Sequence, residues 1–269
     1  FGGTALHLLG AEAVEGTVEG AAAERLRRLH GITVEVVGGE ETIFSIEIDG
    51  GERVLRLLRR STMGPLDPRW NGPFVVSGTM GEIPLELVDR LAGRGPLLLD
   101  VQGFVRVVSD GGEVLNSADA MRHLMSRFSG SGVLIRGERY EFPPECRGER
   151  VADCSERYGV DLVMTDAESP FYAAVEGELY VGRPVEGLGG EPIGLGDVFT
   201  AVLGYYLYSV GLPFEEAAAR ASAAATLKLR EKQPWFTVPE VEYSSRRVAV
   251  ERRGRIGAGR GRTDDARGS

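Results

Sequence analysis

Four short apolar runs, at residues 74–77, 96–101, 132–135 and 161–164, constrain the fold of this chain more than any other feature. Each has the length of a strand buried on both faces. The first three lead into segments whose apolar residues recur at helical spacing, near 83–91, 118–128 and 150–158. Repetition of strand and helix predicts an α/β sheet covered by helices on both sides. Ligands of such sheets bind beyond the carboxyl ends of the strands. Chemistry is therefore to be sought in the residues that follow each run.

The segment 33–58 obeys a different period. Phe44, Ile46 and Ile48 alternate with Ser45, Glu47 and Asp49, as in a half-buried strand. Asp49-Gly50-Gly51 reads as a hairpin turn, and 54–58 returns. A hairpin set into an α/β domain is either decoration or a lid. A second hairpin is predicted over 173–185, turning at Glu176-Gly177. After the helical run 198–210, Gly211 suits a helix stop, and Pro213 with Glu215 and Glu216 opens another helix. That helix carries Ala217, Ala218, Ala219, Ala221, Ala223, Ala224 and Ala225, small enough to lie close to a neighbouring helix or a flat ligand. From about Arg252 the chain turns Arg- and Gly-rich without an apolar period. This predicts one domain over 1–251 and a disordered tail over 252–269.

A length of 269 residues allows one large domain or two small ones. The net charge of −9 argues against nucleic acid as a partner, since phosphate backbones are held by Lys and Arg. No apolar run approaches the ~20 residues of a spanning helix, and no signal peptide is visible. The expectation is a cytoplasmic protein with no membrane partner. In that setting Cys146 and Cys154 read as two ordinary thiols rather than a disulfide, and no nearby histidine completes a zinc pattern. His7, His30 and His123 lie in unrelated segments and support neither a Ser/His/Asp triad nor a metal–histidine site.

The most specific chemical signal is Glu191-Pro192-Ile193-Gly194-Leu195-Gly196-Asp197-Val198-Phe199-Thr200. Two glycines bracket one residue, an aspartate follows, and the helical run begins at once. Such a turn aims several backbone N–H groups at one point, where the positive end of the helix favours an anion. Asp197 at the helix start is placed to take a proton from whatever approaches that anion. The plainer alternative is a glycine turn with an N-capping aspartate.

This heptad, from Glu191 to Asp197, resembles the Asp-Thr/Pro-Thr-Gly-Ala-Gly-Asp signature of the ribokinase-like (PfkB) carbohydrate and nucleoside kinases. The order of other features is similar too. The pair Gly2-Gly3 sits where the family has its sugar-site motif, and the hairpin around 33–60 sits where it has a β lid. The segment Leu99-Asp100-Val101-Gln102-Gly103-Phe104-Val105-Arg106 looks like one found in archaeal members and in plant inositol-kinase-like members. The resemblance implies a three-layer α/β/α sandwich with a mainly parallel central sheet and a small β lid. It implies a kinase moving the terminal phosphoryl of ATP (or ADP), with Mg2+, onto a hydroxyl of a sugar, cyclitol or nucleoside. A homodimer through the lid is also implied.

The resemblance further implies roles, residue by residue. Asp197 becomes the general base, and the backbone of Gly194, Leu195, Gly196 and Asp197 the anion hole. Glu138 and Glu141, in Glu138-Arg139-Tyr140-Glu141, match the family's Asn-x-x-Glu magnesium element, with Glu138 in place of the asparagine. Thr165 and Asp166 match the start of its Thr-x-Gly-x-x-Gly nucleotide loop, whose glycines are absent here. Ala224, Ala225 and Lys228 fall beside the adenine. Gly2, Gly3, Asp100, Gln102 and Arg106 fall at the acceptor, although Asp100 reads equally well as half of a strand-end ion pair. The family's first strand, with its sugar-binding aspartate, has no counterpart before Gly2 in these residues. The alternative function is accordingly an impaired relative that binds nucleotide or sugar without turnover.

Overall fold

The computed structural model describes residues 42–49, 52–63, 71–167, 169–184, 193–230 and 236–256. Its centre is a seven-stranded sheet. Strands β3 (Phe74–Val76), β4 (Leu97–Asp100), β7 (Leu134–Glu138) and β8 (Asp161–Thr165) run parallel. The sheet continues as an antiparallel meander through β9 (Phe171–Val175), β10 (Glu178–Arg183) and β11 (Ala249–Arg255). The order is β11-β10-β9-β8-β7-β4-β3. The four predicted parallel strands are all present, with ends shifted by one to three residues. A period of two divides the sheet residues between two cores. Leu97, Leu99, Ile135 and Leu162 pack with helices α1 (Leu85–Ala92), α3 (Ala118–Arg127) and α4 (Val151–Tyr158). Leu98, Leu134 and Val163 pack with α5 (Leu195–Gly204), α6 (Phe214–Arg230) and α7 (Val238–Ser245) on the other face. The result is a three-layer sandwich.

Both predicted hairpins form. Strands β1 (Ile43–Asp49) and β2 (Glu52–Arg59) pair antiparallel, and β9 turns into β10 through Glu176 and Gly177, both at positive φ. A third hairpin, β5 (Arg106–Val108) with β6 (Val114–Asn116), follows the one-turn helix α2 (Gln102–Val105). It joins the first through the bridge between Arg56 and Glu113 and the bond from the Leu57 N–H to the Gly112 carbonyl, 3.0 Å. The lid is thus two hairpins.

Two expectations are corrected. Cys146 and Cys154 form a disulfide, because the one-turn helix Pro144–Cys146 lays the first against α4, with Cα atoms 5.5 Å apart. Regular structure also continues past 252: β11 runs to Arg255, its arginines at 252 and 255 paired with Glu178. An edge strand whose side chains face water needs no apolar period, so its sequence resembled a tail. No helix among the described residues is long and apolar enough to cross a membrane.

Candidate functional site: an anion turn at the carboxyl ends of β4, β7 and β8

Helix α5 opens on Gly194, whose φ of 80° is left-handed and suited to glycine. The first helical bond runs from the Val198 N–H to the Gly194 carbonyl, 3.1 Å. The amides of residues 195–197 therefore precede the first carbonyl their own helix could offer them. Asp197 lies in that first turn, its side chain exposed. Desolvation by the surrounding protein raises its pKa, as does the nearby Asp100 carboxylate, while Arg136 and Arg106 oppose the rise. A carboxylate of raised basicity beside a row of amide donors can hold an anion and accept a proton from a neighbouring hydroxyl.

The turn rests on a buried polar network. Asp100, 2% exposed at the end of β4, accepts from Arg136 Nη1 at 2.9 Å and from Thr200 Oγ1 at 2.8 Å on one oxygen. Its other oxygen accepts the Gln102 N–H at 3.2 Å. Of the two readings of Asp100, the structure gives the strand-end ion pair. With both oxygens bonded and almost no exposure, Asp100 is part of the scaffold beneath the turn. Arg136, 4% exposed in β7, also donates to Thr165 Oγ1 at 2.5 Å. Arg136 and Thr200 were missed in the sequence. An arginine inside an otherwise apolar strand was the signal that could have found the first.

Around this network the other expected residues divide. Gln102 opens α2, and half-buried Arg106 opens β5 and donates to the Thr79 carbonyl at 3.2 Å. Burial lowers the Arg106 pKa, against the pull of Glu141, Glu138, Asp100 and Asp197. Those four carboxylates place Arg106 at the same site. Glu141 is 4% exposed and its Oε2 accepts the Glu138 N–H at 2.7 Å. Burial pushes its pKa up to about 7, with the Glu138 N–H opposing. Glu138 itself is exposed. Asp166 accepts from Arg139 at 3.0 Å, and the loop keeps a glycine-like conformation at Ala167, φ 46°. Lys228 is buried and donates to the Ile193 carbonyl at the start of the turn. Ala225 is half-buried, but Ala224 is fully buried in the core beside Ala217, Ala218 and Ala221. Its small size thus serves helix packing. Gly2 and Gly3 lie outside the described residues. No group of three or more metal-ligating side chains occurs among the described residues.

A mixed sheet with helices on both sides, a β lid and a glycine turn opening a helix beyond the strand ends define the ribokinase-like α/β fold. Solved structures of that fold superpose on this chain. A pyrophosphate-dependent kinase in the ribokinase family, complexed with a pyrophosphate analog and myo-inositol, matches with TM-score 0.63 at 19% identity, over 84% of this chain and 82% of that one. Ribokinase from Thermotoga maritima matches with TM-score 0.58 at 17% identity, over 86% and 78%. A mutant of phosphofructokinase-2 from Escherichia coli matches with TM-score 0.63 at 12% identity, over 91% and 82%. No protein-family model matches the chain, and no curated protein matches it in sequence.

Proposed function

We infer that this protein is a small-molecule kinase that transfers the terminal phosphoryl of ATP or pyrophosphate to a hydroxyl of a sugar or cyclitol. The observation that carries the reading is the left-handed Gly194 opening α5 with Asp197 in its first turn, at the carboxyl ends of β4, β7 and β8. The kinases of the same fold support it. The myo-inositol complex among them favours a cyclitol, and its pyrophosphate analog brings in the second donor.

In this reading the amides of residues 195–197 hold the transferring phosphoryl, whose charge is met by donors already in place. Asp197 takes the proton of the acceptor hydroxyl as that oxygen bonds to phosphorus. The bond from phosphorus to the donor's bridging oxygen breaks, releasing ADP or phosphate. Magnesium needs only one or two carboxylates besides water and phosphate oxygens, so the absence of a three-ligand cluster among the described residues fits it. Exposed Glu138 would hold the ion through water, with Glu141 fixing the Glu138 backbone, and the ion would neutralise donor phosphate charge. The lid carries Arg106 to the acceptor side and excludes water when closed. Its half-exposed apolar residues also suit a homodimer.

The test is a coupled assay of ATP and of pyrophosphate, each with magnesium, against inositols, sugars and nucleosides. Asp197→Asn should lower kcat by roughly 10³-fold or more while donor binding by calorimetry stays within a few-fold. The acid limb of wild-type kcat/KM should lie above the ordinary aspartate range, because activity is lost as pH falls through the raised Asp197 pKa. Wild-type turnover in Asp197→Asn would overturn the reading. Donor binding without transfer to any acceptor would mark an impaired relative.

A further inference from the structure

The anion turn does not stand on its own helix alone. Gly196, its central glycine, lies against the Arg136 guanidinium: a Cβ there would be 2.7 and 2.8 Å from the two terminal nitrogens. The Phe199 ring, one turn further along α5, also neighbours that guanidinium, its centroid 5.9 Å away. The same group bridges three adjacent strands, from β7 to Asp100 on β4 and to Thr165 on β8. Asp100 in turn receives Thr200 from the second turn of α5. Arg136 Nε is buried with no hydrogen-bond partner.

Stability alone accounts poorly for this arrangement. A buried ion pair is often no better than apolar residues of similar volume, and an orphaned buried donor makes it worse. A planar fork that must touch two strands and carry a backbone on its surface is a matter of geometry, which lysine or methionine cannot supply. Asp197 feels the two members of the pair with opposite sign.

We propose that Arg136 is a positioning residue for phosphoryl transfer: its guanidinium is the platform that sets turn 194–197 against the ends of β4, β7 and β8. This rests on the kinase reading above. Arg136 holds the turn amides and the Asp197 carboxylate at the distance the acceptor and the transferring phosphoryl require. It touches neither.

Two variants and two readouts test it. D100N/R136M removes both buried charges at similar volume, keeps an oxygen to accept the Gln102 amide, and offers Thr200 Oγ1, which can accept as well as donate, the asparagine NH2. R136K keeps the charge and loses the fork. Thermal unfolding reports folding, calorimetry with magnesium pyrophosphate reports the anion seat, and initial rates give kcat and acceptor KM. We expect D100N/R136M to fold with Tm near wild type. Its pyrophosphate affinity should drop on the order of tenfold and its kcat 10- to 100-fold, with acceptor KM within threefold. R136K should fall comparably in kcat, because charge without the planar platform does not restore the turn. If a folded variant of either kind keeps wild-type kcat and pyrophosphate affinity within twofold, Arg136 is only structural and the proposal is overturned. Wild type that transfers phosphoryl to nothing defeats the kinase reading instead. The calorimetric comparison then still decides whether Arg136 shapes the anion seat, and wild type that binds neither magnesium pyrophosphate nor magnesium ATP overturns both.

Discussion

The glycine turn and the paired hairpins proposed as a lid are built in opposite ways. Under the turn, Asp100 and Arg136 on parallel strands and Thr200 on α5 are almost wholly buried and joined through the Asp100 carboxylate, with apolar cores on both sides of the sheet. In the lid, every described side chain of β1, β2, β5 and β6 is half-buried or exposed, with Ile46 and Leu58 among the most open. A few bonds hold it to the sandwich: Thr42 to Glu82 at 2.8 Å, Met63 N–H to the Glu82 carbonyl at 3.0 Å, and Arg106 to the Thr79 carbonyl. The turn is a fixed seat, and the lid has the low density of packing expected of an element that moves. The proposed phosphoryl transfer needs both, since the transferring group must be held rigidly and the acceptor must enter and leave.

The sharpest way to break this contrast is at the seat. Gly196→Ala would drive a Cβ into the Arg136 guanidinium. It should lower kcat by about 100-fold and stability by about 1–3 kcal/mol, the cost of overpacking a site that cannot yield. Near-normal kcat in that variant would mean the seat is softer than its burial implies.

Glu141 offers an intermediate effect through pH. Its carboxyl ionises near 4.5 in the unfolded chain and near 7 in the fold. Between those values the folded state keeps a proton that the unfolded state has released. Its stabilising contribution is therefore complete below pH 4.5 and lost as pH rises through 7. With a chelator present, Glu141→Gln should abolish that decline and be more stable than wild type at pH 8 by on the order of 2–3 kcal/mol. Denaturant curves at pH 5 and pH 8 measure it, and equal slopes for the two proteins would refute it.

At the lid the expected effects are smallest. Arg56 donates to the Gly111 carbonyl at 2.9 Å and pairs with Glu47, joining the two hairpins at the surface. Arg56→Ala should cost under about 1 kcal/mol in global stability. Hydrogen exchange of β1, β2, β5 and β6 should quicken while β4, β7 and β8 are unchanged. Equal quickening in the central strands would show that lid and seat open as one unit.

How far each region was legible follows from the same difference. The strands were readable because a strand buried on both faces is apolar throughout, and the turn because two glycines around one residue, followed by an aspartate and a helical run, mark a helix start. The lid's first hairpin showed its alternation plainly; its second, three residues a strand, was too short for any period to register. Arg136 went unassigned because its partners lie 36 and 29 residues away in sequence. Asp100 stayed open between ligand and ion pair for the same reason. Cys146 and Cys154 fell on the wrong side of an inference from cellular setting, which carries no information about where two side chains meet.

The sequence by itself determined the layered α/β architecture, the helix-opening turn and the candidate base, since these depend on local periodicity and on residues adjacent in the chain. Only the tertiary structure decided what the turn stands on, which carboxylates are scaffold and which face the site, and that the cysteines bond. Those outcomes depend on through-space distances between strand ends, and a polar residue acquires its role from the neighbours that burial brings to it.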